Sequence, residues 1–242
     1  MNLVMLFEED FVAPDRVTLS DRRFTHIQQI HRSGEGDQLR VGMLQGGIGS
    51  ALIERMTDRE VMLSLVLDEV PPEAMPVTLI LALPRPKMLK RCLRMVAELG
   101  VKQLYLINSV RVEKSYWQSP VLLPDRIRDC LLLGLEQARD TIMPEVHLRR
   151  RFKPFVEDEL PGLMQQAGLG LLAHPLAPGF SDLGLMPPIT GQSLLCMGPE
   201  GGFIPYEVEK IQSAGCLSFS LGERIYRVET ALPLLLGKLF VN

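Results

Sequence analysis

The chain of 242 residues contains little cysteine and no long apolar run. Because no apolar run approaches the length of a membrane span, and the N-terminal segment lacks the basic leader of a signal peptide, we expect a cytoplasmic protein without a membrane segment. The four cysteines lie among apolar neighbours, without the paired spacing of disulfide frameworks or zinc sites. We therefore expect buried free thiols at Cys92, Cys130, Cys196 and Cys216.

The sequence also lacks the short motifs of several common enzyme classes. The phosphate-binding Gly-x-x-x-x-Gly-Lys-Ser/Thr, the Gly-x-Ser-x-Gly of hydrolases and the zinc-binding His-Glu-x-x-His are all absent. A dinucleotide fold would place a glycine loop after its first strand, whereas here that strand runs into Leu83-Pro84-Arg85-Pro86. The histidines have no metal-ligand spacing, so we expect no metal site.

The pattern changes once along the chain. Residues 1–70 contain short apolar stretches between glycine and polar turns, with one helix-like segment over 21–32, which predicts a small β-barrel. Three prolines within 71–76 predict a linker. Apolar runs then alternate with helical patterns, which predicts a parallel sheet covered by helices in an α/β domain over 77–242. Its predicted strands are 77–83, 103–108, 168–173, 193–197 and 217–221, and its predicted helices are 87–99, 125–138, 154–167, 205–214 and 230–240.

Three predicted strands of the second half end in loops suited to ligand binding. They run into Ala173-His174-Pro175, into Gly198-Pro199-Glu200-Gly201-Gly202, and into Leu221-Gly222 and the residues up to Arg227. Glycine lets backbone groups approach a ligand closely, and the carboxyl ends of parallel strands meet at one edge of a sheet. Turn chemistry alone would explain any single loop. Three loops at the same edge favour a cofactor pocket.

Basic residues are clustered although the formal net charge is −3. Local patches decide phosphate binding more than the total charge does, while a solvated surface is the alternative for any one cluster. The clusters are Arg85, Lys87, Lys90, Arg91 and Arg94; Arg149, Arg150, Arg151 and Lys153; and Arg22, Arg23 and Arg32 with His26 and His31.

Two motifs near the C-terminus resemble a known family. Gly-Pro-Glu-Gly-Gly-Phe at 198–203, followed by Leu-Gly-x-Arg-Ile-x-Arg-x-Glu-Thr-Ala at 221–231, is similar to the paired signature of the RsmE-type methyltransferases of the SPOUT class. The segment 97–101 and Glu136-Gln137 resemble further family segments. Residues 1–70, with His26, Arg32, Gly36-Asp37 and Gly46-Gly47, are similar to the family's PUA-like RNA-binding domain, so the resemblance covers nearly the whole chain.

The resemblance implies a fold, a cofactor and a reaction. The fold is a SPOUT-like parallel sheet with a C-terminal trefoil knot, preceded by a PUA-like β-barrel, in a homodimer. The reaction is methylation of N3 of one uridine in 16S ribosomal RNA by S-adenosylmethionine, either in free RNA or in the small ribosomal subunit. The implied cofactor-binding residues are Ala173, His174, Pro175, Met197, Gly198, Pro199, Glu200, Gly201, Leu221, Gly222, Ile225, Tyr226 and Arg227.

Catalytic and RNA-binding candidates follow from this chemistry. Arg227 is the candidate that stabilises the developing uracil anion, because a positive group near the carbonyl oxygens lowers its energy. Glu200 or Glu229 is the candidate proton acceptor, although Glu229 or Thr230 also has a capping explanation. The candidate RNA contacts are Arg22, Arg23, His26, Arg32, Arg85, Lys87 and Arg91.

The chain departs from the family pattern at four positions, which leaves alternatives open. Tyr226 occupies a position where the family usually has leucine, and Ile204 one where it has a small hydroxyl residue. Met95 and Asp140 occupy positions where the family has basic residues, which would face phosphates. A SPOUT methyltransferase for a different RNA nucleotide and a non-catalytic RNA-binding assembly factor are therefore alternatives. The leucine-rich last helix predicts a two-fold interface, with a fully buried core helix as its alternative.

Overall fold

The computed structural model describes residues 2–175, 177 and 188–240. The chain divides into two compact units, Met1–Glu73 with Leu131–Met143 and Ala74–Cys130 with Pro144–Asn242. The bounds expected from sequence, 1–70, 71–76 and 77–242, stay a prediction. The compact units differ from them chiefly because Leu131–Met143 packs with the first unit.

The first unit is built on a curled, mostly antiparallel sheet. Its strand order is β1-β4-β5-β6-β3-β2, in which only β1 and β4 pair in parallel. Buried Ala51 and Ile53 alternate with exposed Leu52 and Glu54, so one face covers the core. Irregular register between β5 and β6 bends the sheet into a half-barrel. The strands are β1 (Val4–Leu6), β2 (Phe11–Ala13), β3 (Arg16–Leu19), β4 (Gln38–Met43), β5 (Ile48–Met56) and β6 (Val61–Glu69).

One short helix interrupts this sheet between β3 and β4. Helix α1 (Arg22–His26) begins at Asp21, whose side chain accepts a hydrogen bond from the Arg23 N–H at 2.8 Å. It continues through a π-helical turn over Ile27–His31 and ends at Arg32, which has a left-handed φ of 56°. Phe24 and Ile27 are buried in the core of the sheet, which fixes the side of the helix that faces inward.

The second unit is built on a six-stranded sheet in which every pair of strands is parallel. The strand order is β12-β10-β11-β7-β8-β9. The predicted parallel sheet is thus confirmed. The central strand β11 is buried along its whole length, as its continuous apolar run predicts. The strands are β7 (Val77–Ala82), β8 (Gln103–Ile107), β9 (Glu145–Arg149), β10 (Leu169–Ala173), β11 (Ser193–Met197) and β12 (Leu217–Phe219).

Helices connect these strands. Pro86 and Pro205 occupy the first helical positions of α2 and α6, where a missing N–H costs nothing, and Gly100 follows α2 with a φ of 75°. The helices are α2 (Pro86–Glu98), α3 (Pro124–Ala138), α4 (Phe152–Pro154), α5 (Leu160–Gln166), α6 (Pro205–Ser213) and α7 (Val228–Leu239), with a π-helical turn over Phe155–Glu159 between α4 and α5. Within the described ranges, no helix is long and apolar enough to cross a membrane.

Candidate active site

A cleft opens where the strands β10, β11 and β12 end. The non-atom space inside it, open solvent included, is about 740 Å³. All the predicted cofactor-binding residues line it except Gly201 and Arg227. Part of the apolar lining was not predicted from the sequence, because these residues look like ordinary core residues. They are Phe203, Phe219, Val228, Ala231 and Leu235. The three strand-end loops therefore surround one space.

The loop after β11 is held in shape by Glu207. The Gly202 N–H donates to the Pro199 oxygen at 2.8 Å, and Gly202 has a φ of 73° that favours glycine. The buried Glu207 carboxylate accepts from the N–H groups of Ile204 at 3.0 Å and Val110 at 2.8 Å. Isoleucine at 204 offers no side-chain acceptor, so Glu207 caps α6 by itself and also ties the segment after β8 to the glycine loop.

The loop after β12 leaves backbone donors available. Gly222 has a φ of 109°, and a Cβ built on it would meet no atom within 4 Å. The N–H groups of Leu221, Ile225 and Tyr226 have no hydrogen-bond acceptor among the described residues. Ile225 lines the cleft and is nevertheless 82% exposed. As far as the described residues show, this loop thus offers N–H groups without an acceptor and an open glycine position to a bound molecule.

His174 closes the third side of the cleft. Its N–H donates to the Phe219 oxygen at 2.8 Å, which joins the end of β10 to the end of β12. Burial lowers the pKa of His174, because desolvation penalises the charged imidazolium. Burial therefore favours the neutral form of the ring on this side of the cleft.

Two carboxylates lie near the buried thiol of Cys92 on α2. Burial, together with the negative charges of Glu229 and Glu200, raises the pKa of Cys92 to about 12. Glu200 lines the cleft and accepts from the Arg85 N–H at 3.3 Å, with the Arg85 Nε 3.8 Å away. Glu229 lies in the first turn of α7 and, within the described part of the chain, does not line the cleft. Of the two candidate bases, only Glu200 reaches the cleft wall.

Comparison with known proteins identifies the family of the second unit. The family model described as "RNA methyltransferase domain" matches residues 71–239. The chain belongs to this family. The family membership predicted from the glycine-loop motifs is thereby confirmed, and the cleft described above is the candidate active site of an RNA methyltransferase.

Relatives of this methyltransferase carry a common name. It is similar to "Ribosomal RNA small subunit methyltransferase E" of Treponema pallidum, with 29% identity covering 96% of this chain and 87% of that protein. The protein of the same name from Synechocystis is 26% identical, covering 94% of this chain and 75% of that protein. Both alignments extend across the first unit as well as the second.

Solved structures share the fold over nearly the whole chain. A putative methyltransferase from Legionella pneumophila, solved in complex with the bound cofactor SAM, has a TM-score of 0.71 at 23% identity, covering 98% of each chain. A ribosomal RNA small subunit methyltransferase E from Neisseria gonorrhoeae, bound to S-adenosyl methionine, has a TM-score of 0.71 at 18% identity, covering 97% of each chain. At these identities the likeness concerns the fold.

The predicted RNA contacts in the first unit differ in exposure. Arg23 is 4% exposed, and its guanidinium donates to both Asp10 and Asp21 and to the Met5 oxygen. We therefore remove Arg23 from the set of RNA contacts, because a phosphate would have to displace these internal partners. Arg22, His26 and Arg32 remain candidates.

Partners within the first unit explain one departure from the family pattern. The half-exposed Arg22 pairs with the buried Glu136, with Nη2 2.6 Å from Oε1. Asp140 is buried, and its Oδ1 accepts from the Ile142 N–H at 2.9 Å, as in an Asx turn. Asp140 therefore shapes the turn after α3 and is not available to repel a phosphate.

The predicted RNA contacts of the second unit are Arg85 beside Glu200 and the exposed Lys87 and Arg91 on α2. Sequence reasoning missed Arg111, which donates from Nη1 to the Gly201 oxygen. No sequence motif marks a single arginine such as Arg111 as a site residue. Glu207 could have been found, because it lies three residues after Ile204, the position of the acid in a capping box. Within the described ranges, no group of three or more histidines, cysteines or acids is placed to hold a metal ion.

Proposed function

We propose that this chain methylates N3 of a specific uridine in 16S ribosomal RNA with S-adenosylmethionine, as a cytoplasmic enzyme of ribosome biogenesis. The observation that carries the proposal is the cleft formed by the three strand-end loops, in a chain of the RNA methyltransferase family. Relatives named small subunit methyltransferase E support the choice of ribosomal RNA. The resemblance to the RsmE type supports uridine N3.

The residues of the cleft fit S-adenosylmethionine. Apolar side chains such as Met197, Phe203 and Leu235 offer contact surface to a flat base. The N–H groups of Leu221, Ile225 and Tyr226, which have no acceptor among the described residues, offer donors to the heteroatoms of a polar ligand. S-adenosylmethionine supplies an electrophilic methyl group on a sulfonium. The enzyme's own part is then to position the uracil and to remove its N3 proton.

We assign the removal of the uracil N3 proton and the stabilisation of the developing negative charge to three side chains. Glu200, on the cleft wall, would take the N3 proton, and Glu229 is the second candidate for this role. With S-adenosylmethionine bound, the bond from sulfur to the methyl carbon would break as the bond to N3 forms, and the neutral thioether would leave. Arg227 is exposed at the start of α7 and stabilises the negative charge that develops on the uracil oxygens. Because Arg227 does not line the cleft among the described residues, its side chain has to turn toward the bound nucleotide.

The proposal includes the finer features of the fold. The motifs at 198–203 and 221–231 support a C-terminal trefoil knot, and the half-barrel supports a PUA-like domain that contacts RNA through Arg22, His26 and Arg32. A crystal structure traced through residues 178–187, which lie outside the described residues, tests the knot.

We also propose a homodimer. Helix α7 buries Leu232, Leu235, Leu236 and Leu239 within its own unit but leaves Leu234 46% exposed. Tyr206 and Ile225 are further exposed apolar side chains of the second unit. A two-fold contact would cover such surface. Light scattering at micromolar concentration that returns the monomer mass of 27.1 kDa would contradict a stable dimer.

The reaction is tested by mass mapping of ribosomal RNA nucleosides in a strain that lacks this gene. We expect one methylated uridine of 16S RNA to lose its N3 methyl group, and the purified protein with S-adenosylmethionine to restore it. Loss of a methyl group from transfer RNA, or from another base, would instead support a SPOUT enzyme with a different target. An unchanged set of modifications would support a non-catalytic assembly factor.

The role of Arg227 predicts a separation of binding from catalysis. Arg227→Ala is expected to lower kcat by roughly 100-fold, the usual effect of losing one donor to a developing oxyanion, while RNA and cofactor affinities stay within about twofold. Single-turnover methyl transfer measures the rate. The comparison variant is Arg224→Ala in the same loop; Arg224 lines the cleft but is not assigned to the developing charge, so this variant is expected to keep most of the activity. A slow Arg224 variant beside a normal Arg227 variant would reverse the assignment.

A further inference from the structure

The basic cluster at the end of β9 has no part in the cleft described above. Arg149 is fully engaged, since its Nε lies 2.6 Å from Glu159 and its guanidinium lies over the Tyr105 ring. Lys153 lies 3.9 Å from the Glu157 carboxylate. Arg150 and Arg151 are exposed, and no carboxylate of a described residue lies within 4.0 Å of them. Two positive charges of this cluster are therefore not neutralised by the described part of the protein.

Arg150 is held in place by an aromatic ring. Its guanidinium carbon lies 5.7 Å from the centroid of Trp117, whose Nε1 donates to the Asn108 Oδ1 at 2.8 Å. The Asn108 N–H in turn donates to the Arg149 oxygen at 3.0 Å. Because these contacts join the ends of β8 and β9, Arg150 loses less freedom on binding an anion than an isolated surface arginine would.

Two contacts connect this cluster to the glycine loop of the cleft. The rings of Phe152 and Phe203 have centroids 6.3 Å apart, and Phe203 lines the cleft. Arg111, an exposed residue after β8, donates to the oxygen of Gly201. Arg111, Arg150 and Arg151, which we call the rim arginines, thus belong to two segments that both touch the loop at 198–203. The rim arginines are therefore connected by these contacts to the loop that forms one wall of the cleft.

We infer that the rim arginines bind backbone phosphates of the RNA strand next to the target nucleotide. This inference rests on the proposed function and adds a binding surface on the methyltransferase unit itself. A guanidinium matches a phosphate with two parallel hydrogen bonds and stays charged at every relevant pH. Arginines that have no carboxylate partner among the described residues favour a polyanion as the ligand, even on a chain of net charge −3. The contacts position the strand and carry no base specificity.

The test is the double variant Arg150→Gln/Arg151→Gln, measured with 16S RNA transcript and the demethylated form of S-adenosylmethionine. Losing two contacts to a single strand is expected to reduce the slope of log K against log salt by about 1.4 and to weaken binding roughly tenfold at physiological salt. In methyl transfer, KM for RNA is expected to rise roughly tenfold while kcat stays within about twofold. Cofactor affinity by calorimetry is expected to be unchanged.

Two further variants make this test decisive. Arg150→Lys/Arg151→Lys keeps the charge and is expected to recover most of the RNA affinity, as phosphate contacts require. Arg126→Gln/Arg128→Gln on α3 removes the same charge elsewhere and is expected to change the salt slope little. An unchanged slope in the Arg150/Arg151 glutamine variant, or an equal loss in the α3 control, would overturn the inference. Wild-type protein that binds RNA but transfers no methyl group would contradict the proposed function instead.

Discussion

Gly222→Val is expected to reduce affinity for S-adenosylmethionine at least about a hundredfold. The φ of 109° at Gly222 is one that L side chains rarely adopt, so a β-branched residue either strains the loop or rearranges it, at a cost of about 1–3 kcal/mol. In addition, the space around a Cβ at this position is open to the cleft, where the side chain would compete with the ligand. Calorimetry on the purified variant measures the loss.

Gly36→Val is the matched control for this prediction. Gly36 also has a positive φ, of 90°, and its Cβ would likewise meet nothing within 4 Å, but it belongs to the first unit. The control therefore has a similar backbone strain and is expected to bind the cofactor normally. Wild-type affinity in a folded Gly222 variant would remove the loop at 221–227 from the cofactor site.

Arg23→Gln is expected to destabilise the protein by about 3–5 kcal/mol, the usual cost of leaving one partner of a buried ion pair alone. The side chains of Arg23 and Asp10 are 4% and 7% exposed, and Arg23 Nη2 lies 2.6 Å from Asp10 Oδ1. Urea unfolding measures the change. Arg32→Gln, at an exposed position nearby in sequence, is expected to stay within about 0.5 kcal/mol of wild type.

The same network predicts a dependence on pH. Burial raises the pKa of Asp21, but hydrogen bonds from the side chain and backbone of Arg23 outweigh it and leave that pKa below its usual value. A carboxyl with a lowered pKa stabilises the fold above its unfolded pKa, and this stability is lost as the pH falls through the folded value. Wild type is therefore expected to lose stability below about pH 4, and Arg23→Gln to lose less.

A different outcome for the Arg23→Gln variant would show that Arg23 contacts RNA after all. If Arg23→Gln kept wild-type stability and instead weakened RNA binding with a flatter salt slope, its guanidinium would have to reach phosphates. The double variant Asp10→Asn/Arg23→Gln gives a further check. Since it removes both charges of the buried pair, it is expected to cost less than the sum of the two single variants.

The sequence by itself determined five of the six strands of the parallel sheet and the loops that form the cleft. Continuous apolar runs such as 193–197 predict strands buried on both faces, and parallel strands place their carboxyl ends at one edge. The glycine loops at 198–202 and 221–222 were therefore expected at the same edge, and the strand order β12-β10-β11 brings them close together. The sequence missed β9, whose residues are exposed or half-buried along its whole length and so form no continuous apolar run.

Only the tertiary structure decided which charged residues are internal and which are available to a ligand. Arg22 and Arg23 are adjacent in the sequence, yet Arg23 is buried against Asp10 and Asp21 while Arg22 is half-exposed and pairs with the distant Glu136. In the cluster 149–153, Glu159 engages Arg149 and leaves Arg150 for the Trp117 ring. The pattern of one segment cannot supply these assignments, because the charge of a side chain is neutralised by partners that only folding brings within a few ångströms.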